Sequence, residues 1–252
     1  MVKPPTIAEI MVKHILYFDP EYSTDWERIC ENEDIDLLPS FDLKTLHCLN
    51  MQSKQFEAKP LTYRMKVAPT DTIFGEEVVE KILENQLLFV FDDGVGMGVV
   101  HFSDYNQDKV LVFLYQTILE FEKDLRKMLE IRGVTREDVF ESISDEAKKA
   151  RVNHLLNIKA SPLSIFELST LLAFTENNFP IVLGRSIVKT RNRVMHFGDM
   201  VKKATIGKKS KRFDLHSFRG FIGDVRELLD DQKRLRNYVT MLEMERATTN
   251  IL

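Results

Sequence analysis

The residues whose types and spacing best fit chemistry lie in Val188-Lys-Thr-Arg-Asn-Arg-Val-Met-His-Phe-Gly198. Arg191 and His196 stand five residues apart, with Asn192 directly after the arginine. A guanidinium is a permanent planar cation whose donors match a phosphate in bidentate fashion. An imidazole gives or takes a proton near neutral pH. Five residues of an ideal helix turn through roughly 140°, so the pair does not share one face of a straight helix. It converges at a helix end or bend, or across a subunit interface, and Gly198 is a helix stop just beyond. The competing account of such a stretch is a solvated basic helix end.

The helix that must position these groups is predicted over Ile181 to Met195, after a loop at Asn177-Asn-Phe-Pro180. Leu163 to Phe174 reads as an apolar core helix, entered after the Ser161-Pro162 break. Upstream, Leu111, Leu114, Tyr115, Ile118, Leu119, Leu125, Met128 and Leu129 sustain an i, i+3, i+4, i+7 stripe that Gly133 ends. Glu120, Glu122, Asp124 and Arg126 fill the outer side of that long helix, as a solvated charged face. Thr135-Arg-Glu-Asp138 and Ser144-Asp-Glu-Ala147 are helix starts. The last helix begins near Ser217, with Phe218, Phe221, Ile222, Val225, Leu228, Leu229, Leu235 and Val239 as its apolar stripe, and the end from Thr248 is expected to fray. Between motif and last helix, Val201 to Arg212 holds six cations and no acid, which predicts a solvated loop. Lys202, Lys203, Lys208, Lys209, Lys211 and Arg212, with Arg193, are the candidate contacts to an RNA backbone.

Arg-Asn-x-x-x-His before a Gly, set between two helical segments, resembles the Arg-x(4–6)-His motif of HEPN domains, in which a polar residue follows the arginine. The resemblance covers roughly the second half of the chain. It implies an all-α helical bundle over 110–245 that dimerises and brings two motifs together as a metal-independent endoribonuclease, some members having become binding modules. Arg191, Asn192 and His196 would be its catalytic residues, and an acidic residue on the first helix of several members makes Glu122 a loose further candidate.

The first half has a different period. His14-Ile-Leu-Tyr-Phe18, Ile35 to Phe41 and Leu43 to Leu49 read as strands, with a short helix from Ser23 to Glu31. The order then recurs: Tyr63 to Pro69 extended, Thr72 to Glu84 helical, Leu87 to Phe91 a strand, Asp92-Asp-Gly94 a hairpin turn, and Val95 to Phe102 the returning strand. Residues 1–11 read as a tail broken by Pro4-Pro5. Val67-Ala-Pro-Thr-Asp-Thr-Ile73 and Gly98-Val-Val-His-Phe-Ser-Asp104 resemble tandem CBS domains, the Bateman module, over 12–108 with repeats about 12–55 and 60–108. That gives an α+β fold to this half. The resemblance implies an adenine nucleotide as regulatory ligand, with Asp104 on a ribose hydroxyl and His101 and Ser103 near phosphate. His101 departs from the family's Thr/Ser there, and the first repeat lacks the Gly…Asp signature. The alternative role for Asp104 is to cap the following helix. Gly94-x-Gly96-x-Gly98 is not a dinucleotide fingerprint, because it lies inside a hairpin rather than between strand and helix.

Composition narrows the classes further. The net charge of −4 means that any RNA affinity rests on a local patch. Two cysteines, no targeting segment and no long apolar run predict a cytoplasmic protein without disulfides or membrane contact. The six histidines form no ligand spacing, so no metal is expected and no cofactor is required. No nucleophile elbow, phosphate-binding loop or Rossmann turn supports a metabolic enzyme. The reading that results is a ribonuclease acting on RNA as a homodimer, nucleotide-regulated, with the family resemblance adding a toxin or phage-defence role and an antitoxin partner. Its alternative is a non-catalytic nucleotide sensor or RNA- or protein-binding adaptor.

Overall fold

Turn chemistry and alternation build the first half of the chain. The computed structural model describes residues 2–33, 35–50, 52–156, 163–196, 200–206 and 210–249, and the side chains at 23, 24, 31–33, 204–206, 210–212 and 249 fall outside that description. It contains both helix and sheet, with the sheets concentrated toward the N-terminus and long helices toward the C-terminus. Two compact units divide it: Pro4–Lys109 with Lys203–Leu215, and Met1–Lys3 with Val110–Lys202 and His216–Leu252.

The first of these units starts with α1 (Ile7–Ile10) and α2 (Ser23–Glu33). Strands β1 (Leu37–Pro39), β2 (Thr45–Asn50) and β3 (Gln55–Pro60) form an antiparallel sheet in that order. A second sheet has β4 (Lys66–Val67) parallel to β5 (Leu87–Asp92), which pairs antiparallel with β6 (Val95–His101), and α3 (Glu76–Asn85) joins β4 to β5. Asp93 and Gly94 both have positive φ, 45° and 81°, as the tight turn between β5 and β6 requires. Leu46 of β2 and Phe89 of β5 share one apolar cluster with Leu61, so the two sheets have a common core. Phe18, Cys30, Leu38 and Leu49 form another. The hairpin of β7 (Lys203–Ile206) and β8 (Ser210–Phe213) completes the unit.

The second unit carries α4 (Asp108–Ile131, from Val110 onward), α5 (Arg136–Glu141), α6 (Glu146–Asn153), α7 (Leu168–Asn178), α8 (Ser186–Met195) and α9 (Leu215–Thr249, from His216 onward). The apolar stripe of α4 is buried at Phe113, Leu114, Ile118, Phe121, Leu125, Met128 and Leu129, and Gly133 (φ 73°) follows its end. Thr135 caps α5 with Asp138, as its sequence predicts. On α9, Phe218, Phe221, Val225, Leu228 and Leu235 are fully buried.

Several expectations are corrected. His14–Phe18 pairs in no ladder; the Phe18 N–H bonds to Pro39 O at 2.8 Å instead. Residues 7–10 are no tail, because Thr6 and Glu9 cap each other and bury Ile7 and Ile10 completely. A third strand, β3, closes the first sheet, and Tyr63–Met65 is a 3₁₀ turn rather than extended chain. α3 starts at Glu76, α7 at Leu168 and α8 at Ser186, each later than apolar periodicity implies. The stretch 201–212 is not a plain loop, and an all-α assignment of 110–245 therefore fails. Its backbone register pairs Lys203 with Phe213, Ala204 with Arg212 and Thr205 with Lys211. Gly198, Lys208 and Lys209 lie outside the described residues, as do Ser161-Pro162 and 250–252.

Gly98 of β6 holds the N-terminal segment. Val12 and Val99 exchange backbone hydrogen bonds of 2.8 and 2.9 Å across it. A Cβ on Gly98 would stand 2.5 Å from the Val12 carbonyl oxygen. Gly98→Ala is therefore expected to destabilise the protein by about 1–3 kcal/mol, read as a lower urea midpoint at unchanged slope. An unchanged midpoint would show that the crossing yields without strain.

Candidate functional site

α8 carries Arg191 inside its last turns and ends at Met195, so His196 leaves the helix as its C-cap (φ −97°, ψ 11°). The His196 N–H bonds back to the Asn192 carbonyl at 3.2 Å. The two residues thus occupy a helix end, as their spacing requires. Arg191 is fixed by α4: its Nε lies 2.9 Å from Glu122 Oε1, and Arg126 lies 3.2 Å from Glu122 Oε2. The Glu122 side chain is 12% exposed, which makes it a half-buried anion held by two guanidinium groups rather than part of a solvated face. Asn192 and His196 are exposed on the surface beside it in sequence.

The accessory cations are distributed differently from their prediction. Arg193 Nη1 is 3.7 Å from Asp224 Oδ2, and Lys189 shares the same carboxylate at 3.8 Å. Arg193 is therefore partly neutralised by α9. Lys202 is exposed, and its N–H donates to Ser217 Oγ at 3.1 Å. Lys203 belongs to the unit of the sheets, with Nζ 4.7 Å from the centre of the Phe213 ring. The side chains of Lys211 and Arg212 are outside the described residues. Lys202 and Lys203 thus belong to different units, and Lys208 and Lys209 lie outside the described residues.

The other predicted group does come together. A cleft of about 520 Å³ in the sheet unit is lined by His101, Ser103 and Asp104, with the Leu37–Pro39 strand, Asn85 to Leu87 and Phe213. His101 is the N-cap of a 3₁₀ turn (Phe102–Asn106): its Nδ1 accepts from the Ser103 N–H at 3.2 Å and lies 2.7 Å from Ser103 Oγ. Asp104 returns the cap by accepting the His101 N–H on Oδ2 at 2.8 Å. The capping role weighed for Asp104 is therefore real, although the capped turn starts at His101. Burial pushes the Asp104 carboxyl above its usual range, against the His101 N–H and Gln107 hydrogen bonds that lower it. Burial also lowers His101 from 6.5 to about 4. Phe213 is the most distant in sequence of the lining residues that sequence reasoning missed. Its only local signal is an aromatic residue closing a basic run.

Among the described residues no cluster of three His, Cys, Asp or Glu is arranged to hold a metal ion, and no helix is long and apolar enough to cross a membrane. Cys30 and Cys48 are both free. No family model matches the chain, and no curated protein matches it. Two solved structures are similar, both of a hexameric CBS-CP12 protein from bloom-forming cyanobacteria, one of them a Yb derivative at 2.8 Å. Each is 14% identical over 62% of this chain, with TM-scores of 0.33 and 0.32 over 95% and 99% of the matched chains. At that similarity neither carries an argument about this chain.

The lowered His101 has a consequence for stability. Between about 4 and 6.5 the unfolded histidine takes a proton that the folded one refuses. Its contribution is complete above pH 6.5 and is lost as pH falls toward 4, by up to about 3 kcal/mol. Asp104, shifted upward, acts with the opposite sign: its folded state gains protons, and hence stability, as pH falls. His101→Asn keeps a capping oxygen but cannot titrate, so its stability loss between pH 7 and pH 5 should be smaller than that of the parent in urea unfolding. Equal losses would mean that His101 does not set the acid limb.

Proposed function

We propose that the chain is a metal-independent endoribonuclease whose site is composed from two copies of Arg191, Asn192 and His196 in a homodimer. The observation that carries this reading is the Glu122–Arg191 pair beside the exposed helix end. A carboxylate on Nε locks the guanidinium and leaves its two terminal nitrogens, which have no partner among the described residues, to meet a phosphate. Cleavage of RNA by its own 2′-hydroxyl needs a base for that proton, an acid for the departing 5′-oxygen and cations for the charge growing on phosphorus. One histidine and one arginine are too few, and two copies supply both pairs. His196 then moves the protons, Arg191 clamps the phosphate, Asn192 positions groups by hydrogen bonding, and the products are a 2′,3′-cyclic phosphate and a 5′-hydroxyl. Lys202 is the accessory cation best disposed to meet the RNA backbone, being exposed.

Pairing of copies is supported by α4. Val112, Tyr115 and Leu119 repeat at i, i+3, i+7 and are 51%, 41% and 43% exposed, an uncovered apolar stripe one turn before Glu122. A second reading concerns the sheet unit. Its strand–helix–strand–strand order from β4 to β6 and its cleft, with His101, Ser103 and Asp104 in one wall, support a CBS-like module that binds an adenine-type ligand as a regulator, the first copy beginning with a helix among the described residues.

Incubation of purified protein with mixed RNA in EDTA should give cleavage that falls at least ~100-fold in Arg191→Ala and in His196→Ala. Equal cleavage by all three proteins would trace the activity to a contaminant. No cleavage by any of them, with or without nucleotide, would leave the sensor reading alone standing. Leu119→Asp is expected to give a monomer by light scattering and to lose cleavage with it. An active monomer would end the composite-site proposal.

A further inference from the structure

β3 ends its sheet: one side of its backbone pairs with β2, and the other with no strand among the described residues. All its residues are exposed except Phe56, which is half-buried. The ladder fixes which backbone groups point outward. The Leu61 N–H bonds to the Lys44 carbonyl at 2.8 Å, continuing the register that sets Thr45 opposite Pro60 and Leu46 opposite Lys59. Backbone direction alternates along an antiparallel strand. Gln55, Glu57 and Lys59 therefore bond to β2, while Phe56, Ala58 and Pro60 turn their backbone groups outward. Pro60, without an N–H, stands in an outward slot, where a strand tolerates it.

Charge separates the registers in which such an edge can pair with a copy of itself. A two-fold axis at Glu57 sets two carboxylates directly opposite, and an axis at Lys59 sets two ammonium groups so; both arrangements repel. An axis at Phe56 runs the strand into the turn at Lys54 (φ 57°), and one at Pro60 centres it on two residues without an N–H. An axis at Ala58 does none of these. It puts Glu57 of each copy opposite Lys59 of the other in a non-hydrogen-bonded pair, where side chains come closest. The two Ala58 residues exchange both backbone bonds, and each Phe56 N–H meets the Pro60 carbonyl of the other copy. Lysine and proline on an edge commonly keep other strands away. Glu57 alters that role, because it offers each lysine an opposite charge on the same edge of a second copy.

We propose that β3 is a self-complementary edge at which two copies of this chain pair antiparallel about Ala58, joining their three-stranded sheets into one. The contact is small and solvated, and therefore weak. It fills as concentration rises and is separate from the α4 stripe on which the composite ribonuclease site rests.

The test is sedimentation velocity on the full chain carrying Leu119→Asp, so that α4 does not contribute, over roughly a hundredfold range of concentration. The mass is expected to double from its dilute value across that range, and to rise less in high salt. Glu57→Lys and Lys59→Glu, each added to that chain, should weaken the association at least ~10-fold by setting like charges opposite. An equimolar mixture of these two variants should recover it, since each then meets the opposite charge on the other. Misfolding cannot imitate that recovery. No rise in mass at any concentration would overturn the proposal, and so would a rise that neither variant changes. Loss in both variants without recovery on mixing would overturn the antiparallel pairing about Ala58.

Discussion

Glu122 is the charge on which the helical unit turns. A carboxylate so little exposed needs cations within reach, since an unpaired buried anion is far more destabilising than a paired one is stabilising. Arg126, one turn along α4, answers one oxygen, and Arg191 of α8 answers the other. The first partner is local and would be present in any α4 helix. The second must be delivered across 69 residues of chain, so the pair dictates which face of α8 meets α4. Asn192 and His196 then follow from the helix geometry. The same contact that satisfies Glu122 therefore aims the residues with catalytic potential.

α9 answers the other side of α8 in the same way. Asp224 collects Lys189 and Arg193, and the Ser186 hydroxyl lies within hydrogen-bonding reach of both Asp224 and Glu227, its single proton serving one of them. Asp231, fully buried, accepts the Gly184 N–H at 2.6 Å just before α8 begins. A row of acids on α9 thus meets one backbone N–H just before α8 and three side chains on it. Arg236 bridges Glu120 and Asp124 from α9 to α4, at 2.8 and 3.1 Å. These contacts have geometric direction, which apolar burial lacks, so they set the rotation of each helix about its axis.

In the sheet unit the comparable constraint is a close backbone approach. Val12 can lie against β6 only because residue 98 has no side chain. That crossing brings the N-terminal segment to the cleft, where Val12 and His14 join the wall. The β7–β8 hairpin brings a second distant segment there. The cleft is thus assembled from five separated stretches of chain, 12–16, 35–39, 85–89, 99–104 and 213.

Much was legible in the residues themselves. The stripe of α4, the capping of α5 by Thr135, the Asp93-Gly94 turn and the His101–Ser103–Asp104 cluster all rest on interactions within a few residues, which spacing reveals directly. The helix end at Met195 is local too, and it already decided that Arg191 and His196 would not sit on one straight helix. What sequence could not decide was partnership over distance. Glu122 reads as solvated until Arg191 is seen against it, Arg193 reads as a free cation until Asp224 is, and Phe213 reads as the end of a loop until it stands beside His101. Local pattern determined the elements and their termini, because capping and periodicity act over one or two turns. Tertiary structure alone decided which charges are neutralised and which remain to meet a ligand, because that depends on the desolvated surroundings that only packing creates.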